Sequence, residues 1–235
     1  MTQSLVFYSN DDAESSVSLT RRVAQVIGAN TPRMGYVASS PDPGRVFFER
    51  KRAHYENLGV DLCAYLDSDT CDLDAALSSL MDCDAIHLSG GNTFSFLGWL
   101  RERGALPALQ EYGRTGGPLV GVSAGAILLT SSVSCAELCG DVQPPGFLDM
   151  KAMGLVDFEF WPHYTFGAEN GHGIGAFLRY APLVYACPDG AGLVAGGGKV
   201  EMFGDVRVFR YGVVAPNPAM RSDRDPTAAG EGPKC

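Results

Sequence analysis

One stretch decides the fold, Pro118-Leu119-Val120-Gly121-Val122-Ser123-Ala124-Gly125-Ala126. A short apolar run leads into the pattern Gly-x-Ser-x-Gly, and an Ala-rich helical pattern follows it directly. This order of strand, sharp turn and helix is the setting of a nucleophile elbow, which lifts a serine hydroxyl clear of a sheet. Gly121 and Gly125 fit it because a side chain there would collide with the strand and helix around the turn. We interpret Ser123 as a candidate nucleophile; an incidental serine in a small-residue turn is the alternative.

The backbone near this serine also predicts hydrogen-bond donors for a developing oxyanion. The N–H of Ala124 opens the predicted helix, where a carbonyl oxygen would gain charge. A second turn, Gly90-Gly91-Asn92-Thr93, ends the strand expected beside the elbow, and it lacks the Lys and spacing of a phosphate-binding loop. We therefore expect Gly91 to supply a second oxyanion donor and Asn92 to contact the substrate.

The composition is that of a globular enzyme. Of 235 residues, 46% are hydrophobic and 19% are charged, which allows one sizeable α/β core. A net charge of −9 argues against nucleic-acid binding, which needs clustered Lys and Arg. No apolar run reaches the ~20 residues of a membrane span, and the first residues lack the basic region of a signal peptide. We therefore predict a cytoplasmic enzyme without nucleic-acid or membrane partners.

The seven cysteines are spread thinly through apolar segments, which predicts reduced thiols and no disulfide framework. Cys135 and Cys139 lie four residues apart, but no histidine or third cysteine lies nearby at ligand spacing. We expect neither a metal nor any other cofactor.

Strand and helix patterns alternate through the first half of the chain. The apolar strand patterns are Leu5–Ser9, Met34–Ser40, Val60–Leu66, Ala85–Leu88 and the run before Ser123. Because helical patterns separate them, we predict an α/β fold with a doubly wound, mostly parallel, flavodoxin-like sheet.

The second half is less regular. A long loop is predicted over 133–154 and a helix over Gly173–Tyr180. A terminal β-meander is predicted from three short strands, Leu193–Ala195, Lys199–Phe203 and Val206–Arg210. We expect one hydrolase domain over 1–214 and a flexible tail over 215–235, where Pro, Ala, Gly and charged residues prevail.

A nucleophilic serine needs a base, and the chain contains four histidines. His54, in a polar helical pattern, is predicted at the surface, and His87, in an apolar strand, is predicted in the core. His163 ends a short aromatic strand in Trp161-Pro162-His163-Tyr164, and α/β sheets bind ligands at strand ends. We predict His163 as the base, with His172 in a Gly-rich loop as the competing candidate.

The base in turn needs an orienting acid. Asp189 follows another apolar strand, in Cys187-Pro188-Asp189-Gly190, although Asp-Gly is also typical of a simple β-turn. Glu137 is the alternative carboxylate and a candidate substrate-binding residue. The order Ser, His, Asp differs from that of the α/β-hydrolases, but geometry and roles define a triad.

Taken together, these landmarks resemble the serine peptidase family of peptidase E and cyanophycinase, which has a class I glutamine-amidotransferase-like fold. The similarity runs from Leu5 to about Arg210 and rests on Gly90-Gly91-Asn92-Thr93-Phe94, Gly121-Val122-Ser123-Ala124-Gly125-Ala126, Pro162-His163-Tyr164, Gly171-His172 and Pro188-Asp189-Gly190. It looks closer to peptidase E, an α-aspartyl dipeptidase, than to cyanophycinase. The resemblance implies Ser123 as nucleophile, His163 as base and Asp189 at the acid position, where peptidase E has a glutamate.

One departure from that family concerns specificity. Peptidase E holds the substrate's aspartate through an arginine in the helix after the Gly-His pair, and here that position falls near Phe177. The nearby Arg179 is two residues later and so on another helix face. We predict both Phe177 and Arg179 as substrate-binding residues. We therefore expect an apolar or broader pocket, without strict preference for an N-terminal aspartate.

We predict a serine peptidase that cleaves a dipeptide or small peptide through an acyl-enzyme. An amidase or esterase acting on a specialised metabolite is the alternative among enzymes, and a non-catalytic amidotransferase-like binding module is the alternative outside them. The sequence leaves a homodimer open.

Overall fold

The computed structural model describes residues 4–11, 16–28, 32–167, 174–181, 183–211 and 213–215. Of the sequence-based predictions, the competing base His172 and the tail beyond residue 215 lie outside these ranges.

The strands of the described residues form a large sheet and a small sheet. Their bounds are β1 Ser4–Tyr8, β2 Arg33–Val37, β3 Asp61–Leu66, β4 Ala85–Leu88, β5 Leu119–Val122, β6 Glu159–Trp161, β7 Leu183–Ala186, β8 Gly192–Gly196, β9 Lys199–Phe203, β10 Arg207–Arg210 and β11 Val213–Ala215. The large sheet has the order β3-β2-β4-β5-β1-β8-β9. Its first five strands are parallel to one another, whereas β8 pairs antiparallel with β1 and β9 pairs antiparallel with β8. The predicted α/β fold with a mostly parallel sheet is confirmed.

Helices cover both faces of this sheet. Their bounds are α1 Val17–Ile27, α2 Val46–Glu56, α3 Leu73–Met81, α4 Thr93–Glu102, α5 Leu106–Arg114, α6 Ala124–Leu129 and α7 Ile174–Phe177. Side chains of α1 and α2 join one buried cluster, and those of α3 to α6 join the other. Strands β4 and β5 are buried along their whole length, as expected for parallel strands between two helical layers. Among the helices described, none is long and apolar enough to cross a bilayer.

The small sheet has the order β11-β10-β7-β6, with β6 parallel to β7 and the other pairs antiparallel. This arrangement corrects the predicted terminal meander. Strands β8 and β9 form a hairpin at one edge of the large sheet, but β10 leaves it and pairs with β7. The physical reason is Phe209, which is buried against Trp161 and Tyr164 of the small-sheet core.

The segment predicted as a long loop is hydrogen-bonded to helix α4. It begins with a 3₁₀ helix, Val133–Cys139. Further along, Asp141 Oδ2 accepts the N–H of Thr93 at 2.8 Å, and Arg101 donates to two carbonyls, those of Asp149 and Lys151. The loop is therefore held against both ends of α4.

Candidate active site

Ser123 lies at the sharp turn between β5 and α6. Its φ of 49° and ψ of −109° place it in a region that residues other than glycine rarely adopt. A Cβ on Gly121 would lie 2.6 Å from the backbone of Ala126, and one on Gly125 would lie 2.2 Å from Leu88 O. Only glycine at these two positions lets strand and helix approach this closely. The turn at Ser123 is therefore held by backbone packing around Gly121 and Gly125.

The structure brings His163 and Asp189 to this serine. Ser123 Oγ lies 2.8 Å from His163 Nε2, and His163 Nδ1 lies 2.6 Å from Asp189 Oδ1. His163 follows β6 and Asp189 follows β7; because these strands are parallel and adjacent, both residues emerge at the same edge. The backbone N–H of Tyr164 donates to Cys187 O at 3.1 Å, which joins the two strand ends.

This chain of hydrogen bonds has the geometry for nucleophilic catalysis. With its proton on Nδ1 and shared with Asp189, the imidazole presents the Nε2 lone pair to the Ser123 hydroxyl. The His163 side chain is 43% exposed and that of Asp189 is 55% exposed, so solvent and substrate reach the site. The arrangement can take a proton from Ser123 and return it to a leaving group.

Two backbone segments, at Ala124 and at Gly90-Gly91, lie next to Ser123. The amide of Ala124 is in the first turn of α6, and first-turn amides have no acceptor within their own helix. On the other side, a Cβ on Gly90 would lie 3.6 Å from the Ser123 Cβ. Gly91 has a φ of 142°, and a Cβ there would clash with Ser39 Oγ at 2.2 Å, so this turn also requires glycine.

Asn92 has a different place from the one predicted. Its side chain caps α4 by accepting the N–H of Ser95 at 2.9 Å, and it does not line the cavity beside Ser123. The residue type that favours ligand contact also favours helix caps, and here the cap prevails.

A cavity of about 420 Å³ opens beside Ser123 and His163. Its wall includes a buried ion pair, in which Lys51 Nζ donates to both carboxylate oxygens of Asp11 at 2.9 Å. Arg50 also lines the cavity; it is exposed, and among the described residues no carboxylate pairs with it. The cavity wall therefore combines apolar side chains with charged groups. Its one cation outside an ion pair within the described chain lies toward solvent.

His87 forms part of the cavity wall. It is 1% exposed, as the prediction of a core histidine requires, and burial lowers its pKa well below the usual value. Its Nδ1 lies 2.9 Å from the hydroxyl of Tyr55, and its ring stacks on Tyr36 with centroids 5.1 Å apart. His87 is therefore a neutral polar group beneath the site, a second role that its apolar strand did not suggest.

Three predicted substrate-binding residues do not line this cavity. Phe177 packs against the core of the small sheet, and Arg179 and Glu137 are exposed. The helix at Phe177 is a single turn, Ile174–Phe177, which is shorter than the predicted Gly173–Tyr180 and packs on the small sheet. A specificity pocket near Phe177 stays a prediction.

The residues of the site that sequence reasoning did not select include Ser9, Asp11, Arg50 and Lys51. Ser9 and Asp11 follow β1, whose carboxyl end faces the site, so the strand-end rule that selected His163 also applied to them. Arg50 and Lys51 lie in a helix with charges on several sides, and no local pattern distinguishes these two from a solvated face.

Within the ranges that the structure describes, no group of three or more His, Cys, Asp or Glu side chains is arranged to hold a metal ion. The side chains beside Ser123 include apolar, hydrogen-bonding and charged groups, a combination suited to an organic substrate.

Comparison with known proteins gives consistent matches. The model of peptidase family S51 matches residues 6–203. Peptidase E of Shewanella amazonensis is 28% identical over 175 residues, which is 71% of each chain. Peptidase E of Haemophilus influenzae is 34% identical over 119 residues, 47% of this chain and 53% of the relative. The crystal structure of a Listeria monocytogenes EGD-e protein superposes with a TM-score of 0.66 at 22% identity, covering 86% of this chain and 98% of that one, which shows the shared fold.

Proposed function

The chain belongs to peptidase family S51, and we propose that it hydrolyses the peptide bond of a dipeptide or small peptide through an acyl-enzyme on Ser123. The observation that carries the proposal is the pair of hydrogen bonds, 2.8 Å and 2.6 Å long, that link Ser123 to His163 and His163 to Asp189. An incidental serine in a turn has no reason to lie at the head of such a chain.

In the proposed reaction, Ser123 Oγ attacks the carbonyl carbon while His163 Nε2 accepts the hydroxyl proton. Asp189 keeps the second imidazole proton on Nδ1 and stabilises the imidazolium that forms. The amides of Ala124 and Gly91 hold the oxyanion, and each such donor contributes roughly 3 kcal/mol to lowering the barrier. His163 then protonates the leaving amine, and water cleaves the acyl-enzyme by the same steps in reverse.

The cavity beside Ser123 receives the side chain on the acyl side of the cleaved bond in this proposal. Because Lys51 is neutralised by Asp11, Arg50 is the cation that an acidic side chain would meet among the residues that the structure describes. Arg50 is exposed, and an exposed ion pair contributes about 1 kcal/mol or less, which is roughly a fivefold effect. We therefore propose a graded preference and no strict requirement for an N-terminal aspartate.

The test is turnover of a dipeptide panel by wild type and Ser123→Ala, with simple esters and aryl amides of the same acyl groups alongside. The proposal expects peptide-bond cleavage by wild type and a loss of about 10⁴-fold or more in the variant. Cleavage of esters or amides alone would favour the esterase or amidase alternative. A Ser123→Ala variant that is fully active would overturn the proposal.

Three broader predictions accompany this function: a cytoplasmic location, a homodimer as an open alternative, and a hydrolase domain spanning 1–214. The last is tested by truncation after Ala215, which keeps β11 whole and should leave melting temperature and turnover unchanged.

A further inference from the structure

Ser9 is a buried polar residue at the centre of the site. It directly follows β1, it is 0% exposed, and its N–H donates to Ala191 O at 3.1 Å. It is not among the residues that line the cavity, so it has no direct path to a substrate. Its hydrogen bonds point instead to the base and the acid.

The Ser9 hydroxyl joins His163 to Asp189. Its oxygen accepts the backbone N–H of His163 at 2.7 Å, and its proton is donated to Asp189 Oδ1 at 3.3 Å. The same Oδ1 atom accepts the imidazole Nδ1–H at 2.6 Å. A hydroxyl offers one donor and two acceptor sites, so both contacts form at once. The result is a closed ring of hydrogen bonds through the backbone and ring of His163.

Two features make this ring important. His163 has a φ of 54°, and a residue other than glycine keeps such a conformation only where its surroundings hold it. Asp189 is 55% exposed, so packing alone does not fix the direction of its carboxylate. In both cases the Ser9 hydroxyl supplies a fixed partner from the rigid centre of the large sheet.

The residue before Ser9 extends the same connection to the nucleophile. Tyr8 O accepts the backbone N–H of Ser123 at 2.9 Å. Because β1 lies between β5 and β8 in the sheet, its carboxyl end is next to both the elbow and the segment after Asp189. The dipeptide Tyr8-Ser9 is therefore bonded to all three segments that carry the proposed triad.

We propose that Ser9 is a positioning residue, which aligns the imidazole of His163 and the carboxylate of Asp189 with Ser123. The inference rests on the proposed function, since it assigns Ser9 a part in the chemistry of that serine. Ser9 acts through His163 and Asp189, so its loss lowers the rate of the chemical step and leaves substrate binding in place.

The first test compares Ser9→Ala and Ser9→Cys with wild type on one dipeptide substrate. A misalignment of the base by a fraction of an ångström to 1 Å predicts a roughly 10- to 100-fold fall in kcat. KM should stay within about twofold because no substrate contact is lost. Ser9→Cys fills nearly the same space without a strong hydrogen bond, so it tests the bond even if the alanine variant folds poorly. Ser9→Thr keeps the hydroxyl and should recover most of kcat.

The matched control is Thr130→Val. Thr130 is also 0% exposed and hydrogen-bonded, but its partners are Ile127, Ser132 and Glu159, away from the cavity lining. This variant should lower the melting temperature and keep kcat. A Ser9 variant with wild-type kcat would overturn the inference, as would a loss of kcat no larger than that of Thr130→Val at an equal loss of melting temperature.

A double-mutant cycle then separates positioning from general structural support. In an Asp189→Asn background, Ser9→Ala should reduce the rate of Ser123 labelling by a fluorophosphonate less than about threefold, because the aligned acid is already lost. Fully multiplicative effects would contradict the inference. The two claims fail in different ways. If the proposed function is wrong, Ser123→Ala stays active; if only the inference is wrong, Ser123→Ala is inactive and the Ser9 variants keep wild-type kcat.

Discussion

Ser123 and His163 both adopt a positive φ, 49° and 54°, yet the two turns are built in different ways. The Ser123 turn is closed by packing, with Gly121 and Gly125 pressed against backbone atoms at distances that admit no side chain. The His163 turn is closed by hydrogen bonds to Ser9 and, through Tyr164, to Cys187. One half of the site is a packed core and the other is a half-exposed, hydrogen-bonded surface.

This difference explains where functional losses and stability losses should separate. A substitution on the packed side lowers the stability of the fold, because strand, turn and helix are in direct backbone contact there. A change on the hydrogen-bonded side alters the alignment of the base while most of the buried area remains. The predictions that follow test that separation, beginning with the largest expected effect.

Asp189→Asn should reduce kcat by at least about 100-fold, because the amide favours the wrong imidazole tautomer. The melting temperature should change little, since the side chain is half exposed. Steady-state kinetics with a dipeptide, beside a thermal melt, measures both. A variant with more than a tenth of wild-type kcat would place the orienting acid elsewhere.

Gly125→Ala should behave in the opposite way and destabilise the fold. The added Cβ would lie 2.2 Å from the backbone oxygen of Leu88, a contact that no side-chain rotation relieves. We expect a loss of about 3 kcal/mol or more in the free energy of unfolding, measured by denaturant titration. The control is Gly98→Ala in α4, where a Cβ meets nothing within 4 Å and should stabilise the helix by up to about 1 kcal/mol. Equal stability of the two variants would refute the packing account.

The buried carboxyl of Glu159 allows a third test, on the strand that leads to His163. Burial raises its pKa from 4.5 to about 7, against smaller opposing effects from Thr130 and the Ser132 amide. Thr130 Oγ1 has Ile127 O, Ser132 O and Glu159 Oε2 all within 2.9 Å, and one hydroxyl proton cannot serve three acceptors. A protonated Glu159 donates to that hydroxyl and so satisfies the group.

The sign of the pH dependence follows from this raised pKa. Between pH 4.5 and about 7 the folded chain keeps a proton on Glu159 that the unfolded chain loses, so stability falls as pH rises through this range. A shift of this size corresponds to about 3 kcal/mol. Glu159→Gln should flatten the dependence of unfolding free energy on pH and raise stability at pH 8. The exposed Glu137→Gln is the control, and an unchanged slope in Glu159→Gln would show that this carboxyl is ionised in the fold.

The smallest expected effect concerns Arg50 at the cavity wall. Arg50→Gln should reduce kcat/KM for Asp-Leu no more than about fivefold relative to Leu-Leu, since the guanidinium is exposed. Arg179→Gln serves as the control, because Arg179 does not line the cavity. A preference for Asp-Leu above about a hundredfold that Arg50→Gln abolishes would replace the graded preference with a strict one.

The same contrast shows what the sequence could predict. The elbow is local, so a pentapeptide flanked by strand and helix patterns identifies it. His163 and Asp189 were predicted from strand ends, and the structure brings both to Ser123; their catalytic roles remain a proposal. The hydrogen bond between Ser9 and His163 joins residues 154 positions apart. The strand-end rule places both residues at one edge of the sheet, but no local pattern specifies the bond between them.

Two differences between the predicted and the observed structure have a common cause. Counting from Gly171-His172 to Phe177 assumes a regular helix that faces the site, whereas the described helix is one turn packed on the small sheet. The expected meander likewise assumes that successive strands stay in one sheet, whereas β10 follows the burial of Phe209 into another. In both cases tertiary packing, which local patterns do not contain, decided the outcome.

The most direct measurement is covalent labelling with a fluorophosphonate, with the modified peptide identified by mass spectrometry. If Ser123 is the nucleophile and His163 its base, wild type gains a single adduct on Ser123 and Ser123→Ala gains none. His163→Ala should label more slowly by about a thousandfold or more. An adduct on another residue, or His163→Ala labelled at the wild-type rate, would contradict the account.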